Sequence, residues 1–121
     1  MTALENFTKA TIEALYFTET GDLDQPTSDA KLSPDNLAHL QADCASFWYR
    51  FGGYVETAEC NRGDGSHSKA SQAGHDFWLT RQGHGAGFWD GDWSEPFAKL
   101  LSAGSECYGE FYPEFIETPQ A

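Results

Sequence analysis

The residues best suited to chemistry lie in one stretch, residues 74–92, which reads GHDFWLTRQGHGAGFWDGD. It holds two histidines, His75 and His84, together with Arg81 and Asp90. Imidazole and carboxylate groups can transfer protons, and a guanidinium can bind an anionic group. These four residues are therefore the candidate catalytic set if the chain is a small enzyme or a ligand-binding domain.

The same stretch has a pattern of apolar residues that predicts a β-hairpin. Strand-forming residues run from 77 to 80, glycines break the run at 83–87, and Phe88-Trp89 resumes it. Two short apolar runs around a glycine-containing turn are typical of a hairpin. The sequence therefore predicts two antiparallel strands joined by a turn at residues 82–85.

The hairpin register limits how these residues can combine. With the turn at residues 82–85, His84 lies at the turn and His75 at the far end, roughly 20 Å away at about 3.3 Å per residue. The two histidines then cannot share a zinc ion, and we predict no metal site and no cofactor. Both hairpin faces carry apolar side chains, so either helices cover both faces or one face is an exposed aromatic platform.

The alternating glycines at Gly83, Gly85 and Gly87 are superficially similar to a phosphate-binding loop. Such loops lead from a strand into the N-terminus of a helix, whereas here a second strand is predicted to follow. We therefore expect these glycines to provide positive φ angles at the turn and a close approach to an aromatic ring.

The N-terminal part of the chain predicts one helix and one loop. Thr2 and Glu5 have the spacing of a capping box, and apolar residues recur at helical spacing after them, so a helix is predicted over residues 3–17. Residues 19–33 lose this period and collect aspartates, glycine and proline, which predicts a surface loop.

A second helix is predicted to begin after Ser33-Pro34, because a capping hydroxyl followed by proline is a typical helix start. Its apolar stripe continues across two glycines to about residue 59. Cys44 lies on this stripe, so we expect a core residue and not a nucleophile. Residues 61–73 are polar, rich in glycine and serine and without a period, which predicts a mobile loop.

After the hairpin, Ser94 is predicted to cap a third helix with Leu100 and Leu101 on its buried face. Residues 110–117 alternate aromatic and polar side chains and contain one proline, which predicts an edge strand. The prediction is a single α+β domain over residues 1–121: two N-terminal helices, a central antiparallel hairpin, a third helix and a C-terminal edge strand.

The charge of the chain is its most unusual bulk property. Nineteen acidic residues against seven basic ones give a formal net charge of −12. Such a charge repels nucleic acid and anionic lipid and attracts basic protein surfaces, although it also serves solubility. Three cysteines without CxxC spacing indicate a reducing compartment, and no apolar run approaches the ~20 residues of a membrane span. We therefore predict a cytoplasmic protein that binds neither nucleic acid nor membrane directly.

The string from Ala73 to Gly91 resembles the hallmark of a family of small acidic bacteriophage-encoded proteins, whose members carry a close variant of AGHDFWLTRNGHGAGFWDR. Gln82 stands where that family usually has Asn, and Gly91 where Arg is frequent. The acidic segment before Ser33-Pro34 and the triplet at residues 42–44 are also similar to the family. The resemblance implies an accessory phage protein in the bacterial host cytoplasm, and it implies no particular activity.

These features together favour a non-enzymatic acidic protein that binds and inhibits a host nucleic-acid-handling or defence protein, in an anti-CRISPR-like or anti-restriction-like role. Carboxylates would replace phosphates against the partner's basic surface, and aromatic side chains would anchor the contact. The alternatives are a small enzyme or ligand-binding domain using the catalytic set, and a self-associating structural protein; monomer and homodimer both stay open. The predicted binding residues are Trp78, Trp89, Trp93, Asp90, Asp92, Asp22 and Asp24.

Overall fold

Four helices form the body of the protein. A computed structural model describes residues 2–20, 30–60, 69–83, 87–88 and 93–117. In chain order the helices are α1 (Ala3–Thr20), α2 (Pro34–Thr57), α3 (Lys69–Arg81) and α4 (Phe97–Glu106). Among the described residues, strand pairing is limited to the three-residue antiparallel ladder β1 (Ala30–Leu32) with β2 (Phe115–Glu117) and one isolated bridge. The fold is therefore all-α, and the predicted α+β class is wrong.

The predicted hairpin is wrong because its first strand is the C-terminal half of α3. This helix begins at Lys69, inside a stretch that the sequence predicted as a loop. From residue 73 to residue 81 only His75 and Leu79 are partly exposed, so this half of the helix has no wide polar face. A buried helical segment and a buried strand give the same short apolar run, and hydrophobic periodicity cannot distinguish them.

The most extensive contact of α3 is with α1, and it depends on Gly74. A Cβ atom at this position would overlap the carbonyl oxygen of Phe7 and lie 2.8 Å from the Cβ of Ala10. The Thr11 hydroxyl lies between the two backbones, 2.9 Å from the Phe7 carbonyl oxygen and 3.2 Å from that of Gly74. Glycine therefore lets the backbones of α1 and α3 touch.

Three phenylalanines join three helices at the centre of the core. The ring of Phe47 from α2 lies 5.3 Å from that of Phe7 and 4.5 Å from that of Phe77, between centroids. Phe7 and Phe77 are themselves 5.3 Å apart. All three side chains are fully buried. Each aromatic pair adds about 0.5–1.5 kcal/mol beyond the burial of its area, so this triad is a main link between α1, α2 and α3.

The capping box that the sequence predicted at the start of α1 is confirmed. The Thr2 amide donates to Glu5 Oε1 at 3.2 Å, and the Glu5 amide donates to Thr2 Oγ1 at 3.1 Å. The hydrogen bond from the Thr2 amide, and after it one from the Thr2 side chain, lower the pKa of the Glu5 carboxyl because they favour its charged form. The helix runs to Thr20, slightly past the predicted end.

The predicted start of α2 and its passage through two glycines are also confirmed. Ser33 Oγ accepts a hydrogen bond from the Asn36 amide at 3.2 Å. The helix continues through Gly52 and Gly53 to Thr57. Gly52 is buried beneath the indole of Trp48, which a Cβ would approach to 2.8 Å. Packing by the neighbouring turn offsets the low helix propensity of glycine at this point.

The start of α4 differs from the prediction. Ser94 gives the helix no side-chain cap, because its hydroxyl accepts a hydrogen bond from the Glu59 amide at 2.9 Å. The Ser94 amide donates back to the Glu59 carbonyl at 2.9 Å, beside the bridge between Cys60 and Trp93. The Ser94 hydroxyl, which the sequence predicted to cap the helix, therefore bonds to a residue distant in the chain instead. Helix α4 begins at Phe97.

Candidate functional site

Arg81, a member of the predicted catalytic set, is a buried residue at the end of α3. Its guanidinium carbon lies 5.3–5.7 Å from the ring centroids of Phe77, Tyr108 and Phe111. Nε donates to the carbonyl of Gly109 at 2.9 Å, and Nη2 donates to that of Tyr108 at 3.1 Å. The side chain thus fastens the segment after α4 to the end of α3.

The charge of Arg81 is balanced by a carboxylate that the sequence did not single out. Asp43 Oδ2, on α2, lies 3.1 Å from Arg81 Nη2 and 3.3 Å from His39 Nε2. The exposed fractions of the side chains rise from 1% for Arg81 through 18% for Asp43 to 65% for His39. The ion pair therefore runs from the core towards solvent.

The guanidinium of Arg81 is therefore buried and paired within the fold, so it is not available to bind an anionic substrate. The only sequence signal for its partner was an acid one position before the buried Cys44. The position of that acid does not predict an ion pair with Arg81, because Arg81 lies 38 positions further along the chain.

Asp76 is a second charged residue that α3 carries into the core. Its Oδ2 atom accepts hydrogen bonds from Trp93 Nε1 at 2.7 Å and from Gln72 Nε2 at 3.1 Å. Buried polar groups are retained where such partners exist. The carboxylate therefore joins α3 to the segment that precedes α4.

Two of the predicted anchor residues, Trp78 and Trp93, are core residues. Trp78 is fully buried, its Nε1 donates to Thr18 Oγ1 at 2.8 Å, and its ring lies edge-on to Phe111. Trp93 is 3% exposed and lies edge-on to Phe88 at 5.5 Å. An anchor must be exposed before the partner arrives. Because both indoles are buried, neither faces a partner in this conformation.

Of the remaining predicted residues, the structure describes His75 alone, and it does not place His75 beside Arg81. His75 and Arg81 are six positions apart on α3, which separates them by about 9 Å along the helix axis and turns them to different sides. His75 is half-buried. The other predicted residues lie outside the described part of the chain: His84, Trp89, Asp90, Asp92, Asp22 and Asp24.

The glycines after α3 have the backbone role that we expected of them. Gly83 has φ = 71° and Gly87 has φ = 150°. The close approach differs from the expectation: a Cβ at Gly87 would overlap the hydroxyl of Thr80, not an aromatic ring. That hydroxyl accepts a hydrogen bond from the Phe88 amide at 3.1 Å. The turn therefore directs Phe88 into the core; Gly85 lies outside the described residues.

Cys44 is a core residue, as the sequence predicted. Burial raises the pKa of its thiol from 9.0 to about 11, although hydrogen bonds to Thr11 and Thr8 act in the opposite direction. A nucleophilic cysteine needs thiolate character near neutral pH. The Cys44 thiol is therefore unsuited to nucleophilic chemistry.

The exposed charges of the described chain are mostly negative. The exposed basic side chains are Lys9, Arg50, Lys69 and Lys99. The exposed acidic side chains are Glu5, Asp35, Glu56, Glu59, Glu95, Glu106, Glu110 and Glu114. The burial of Arg81 removes one of the chain's seven basic residues from the surface and so increases this imbalance.

Comparisons with models of protein families, with curated proteins and with solved structures found no match. The resemblance to the acidic phage family therefore stays a prediction. None of the four helices described is long and apolar enough to cross a membrane. In the same part of the chain, no three His, Cys, Asp or Glu side chains are grouped so that they could hold a metal ion.

Proposed function

We propose that this chain is an acidic binding protein that engages a host protein through the partner's basic surface. In this proposal it is a phage accessory protein of the bacterial cytoplasm, and it inhibits a nucleic-acid-handling or defence protein. The observation that carries the proposal is the net charge of −12, together with the excess of acids among the exposed side chains. Carboxylates spread over a surface can occupy a groove that otherwise holds phosphates.

The roles of the buried polar residues support binding over catalysis. Arg81 is neutralised by Asp43 and bonded to two carbonyls, and Asp76 accepts from two side chains. The Cys44 thiol has a raised pKa. These three groups would otherwise be the natural starting points for a catalytic site. Their structural roles leave the exposed carboxylates as the most abundant chemical groups offered to another molecule.

Charge of this kind makes a specific prediction about ionic strength. Opposite charges on two protein surfaces speed their encounter, and salt screens the attraction, with a Debye length of about 10 Å at 0.1 M salt. A partner held mainly by carboxylates should therefore dissociate as salt is added. Nucleic acid should compete for the same basic surface of the partner.

The test is an affinity pull-down of tagged protein from nuclease-treated bacterial lysate, at low and at high salt. Bound proteins are identified by mass spectrometry, purified and titrated against the chain across a salt series, with and without duplex DNA. We expect a nucleic-acid-handling protein that is retained at low salt, released at high salt and displaced by DNA. A partner whose Kd does not change with salt or DNA, or no enriched protein at either salt, would overturn the proposal.

A further inference from the structure

A group of partly exposed apolar side chains lies where α2 and α4 pack side by side. The ring of Tyr54 lies 5.9 Å from that of Phe97 and 6.3 Å from that of Phe51. The helices approach closely here, because a Cβ at Gly104 would lie 2.6 Å from the Phe51 ring. Leu100 is three positions after Phe97 and therefore on the same side of α4. We call Phe51, Tyr54, Phe97 and Leu100 the α2–α4 ridge.

The side chains of the ridge are only partly buried. Tyr54 and Leu100 are each 41% exposed, and Phe51 and Phe97 are half-buried. The sequence had assigned Leu100 to the buried face of α4. Single exposed apolar residues are ordinary on a protein surface, whereas a contiguous group of them marks an interaction site. Two helices contribute to this group, so α2 and α4 hold it in one arrangement.

Negative charge lies at the end of the ridge where α2 finishes and α4 begins. Glu59 is hydrogen-bonded through its backbone to Ser94 in both directions, which brings Glu95 next to it. Glu56 lies in the last turn of α2, which has no basic residue of its own, and Lys69 Nζ donates a hydrogen bond to the Glu56 carbonyl oxygen at 3.2 Å. Three exposed carboxylates, those of Glu56, Glu59 and Glu95, thus lie at this end against the one ammonium group of Lys69, which leaves it suited to a further lysine or arginine.

One cation lies elsewhere along the ridge. The guanidinium of Arg50 lies over the ring of Phe51 at 5.3 Å. Arg50 is six positions before Glu56, about 9 Å away along the axis of α2. The ridge therefore has an acidic end and a guanidinium about 9 Å from it, which gives a bound segment a direction.

We propose that the α2–α4 ridge is the docking surface for the partner, and this inference rests on the proposed function. The occupant is a protein segment whose apolar side chains cover Tyr54 and Leu100 and whose lysines or arginines reach Glu59 and Glu95. Charge decides between the possible occupants. A second copy of this chain brings another −12, and nucleic acid brings phosphates, so both are repelled where a basic segment is attracted.

The experiment uses two synthetic peptides of equal length and equal positive charge. One alternates lysine and leucine to give an apolar face, and the other replaces each leucine with serine. Each is titrated into the full chain at low salt, and the binding site is mapped from the backbone amide signals by NMR. We expect the lysine–leucine peptide to bind more tightly and to shift the amides of Tyr54, Phe97 and Leu100.

Matched variants separate the ridge from the general charge. We expect Tyr54→Ser and Leu100→Gln each to weaken the lysine–leucine peptide by about tenfold, which corresponds to 1.4 kcal/mol. Tyr112→Ser is the control for Tyr54, because Tyr112 is 76% exposed and outside the ridge. Combined Glu59→Gln and Glu95→Gln should weaken both peptides more than Glu110→Gln does. Circular dichroism checks that every variant is folded.

Each other outcome has a definite meaning. If both peptides bind equally and the ridge variants bind like the original chain, the ridge is overturned while the acidic binding function stands. If neither peptide binds at low salt, the proposed function fails with it. If light scattering shows a dimer that Leu100→Gln abolishes, the ridge contacts a second copy and the proposed partner is wrong.

Discussion

Helix α3 and the α2–α4 ridge differ in how they use their side chains. Arg81 and Asp76 of α3 are the kinds of residues that catalyse reactions, and both are buried with hydrogen-bond partners inside the fold. The ridge consists of ordinary apolar residues, Tyr54 and Leu100 among them, and these remain partly exposed. These two charged side chains serve the fold, and the apolar side chains of the ridge are the ones available to another molecule.

The difference shows that a distinctive motif can be distinctive for structural reasons. Gly74 allows the contact with α1, Trp78 bonds to Thr18, and Arg81 holds the segment after α4. Gln82 continues this role: its Nε2 donates to the Phe111 carbonyl at 2.8 Å, and its Oε1 accepts from the Phe111 amide at 2.6 Å. Packing and hydrogen bonding therefore account for Gly74, Trp78, Arg81 and Gln82 of the 73–91 string.

The strongest test of this contrast removes the buried cation. Arg81→Ala leaves Asp43 without its partner and the carbonyls of Tyr108 and Gly109 without a donor, so we expect a loss of about 3–5 kcal/mol in the free energy of unfolding. Arg50→Ala is the control, because Arg50 is an exposed cation over an aromatic ring and should cost no more than about 1 kcal/mol. Urea denaturation measures both. Similar small losses in the two variants would contradict a structural role for Arg81.

A second test compares two glycines that both lie inside helices. Gly74→Ala places a methyl group against the Phe7 carbonyl, so we expect a loss of about 1–3 kcal/mol from the forced separation of α1 and α3. Gly53→Ala places the same group where no atom lies within 4 Å, so we expect a gain of about 1 kcal/mol from helix propensity. Thermal and urea unfolding give both values. Effects of the same sign would argue against close α1–α3 packing.

The smallest expected effect concerns Cys44 and pH. Burial favours the neutral thiol, so the folded-state pKa of about 11 lies above the ordinary 9.0. The resulting stabilisation is complete below pH 9 and is lost as the pH rises through 11. Compared with Cys44→Ala, the original chain should therefore lose unfolding free energy more steeply over this range.

Thiol labelling gives an independent measurement for the same residue. At neutral pH, iodoacetamide should modify the exposed Cys107 while Cys44 stays protected until the protein unfolds. Mass spectrometry of digested protein locates the label. If Cys44 reacted as fast as Cys107 in the folded chain, its buried and protonated state would be refuted.

Local signals in the sequence were sufficient for several parts of the fold. The capping box at Thr2 and Glu5, the Ser33 cap and the long stripe of α2 each depend on residues three or four positions apart. Interactions over so short a distance can be read directly from the chain. The burial of Cys44 followed from its place on that stripe.

Other parts could not be read locally. Ser94 has the right neighbours for a cap, yet its hydroxyl bonds to Glu59, 35 positions earlier. Leu100 fits the apolar period of α4, yet only the position of α2 decides that it stays 41% exposed. In both cases the contacts of a residue distant in sequence, and not the local pattern, determine the position of the side chain.

The sequence by itself determined the acidic character of the protein, the starts of α1 and α2, and the core position of Cys44. Tertiary structure decided that α3 is a helix, that Asp43 neutralises Arg81, and that an apolar ridge remains beside an acidic end. The physical reason is the range of the interactions. Caps and amphipathic stripes arise within one or two helical turns, whereas a largely buried helix takes its form from the surfaces that enclose it.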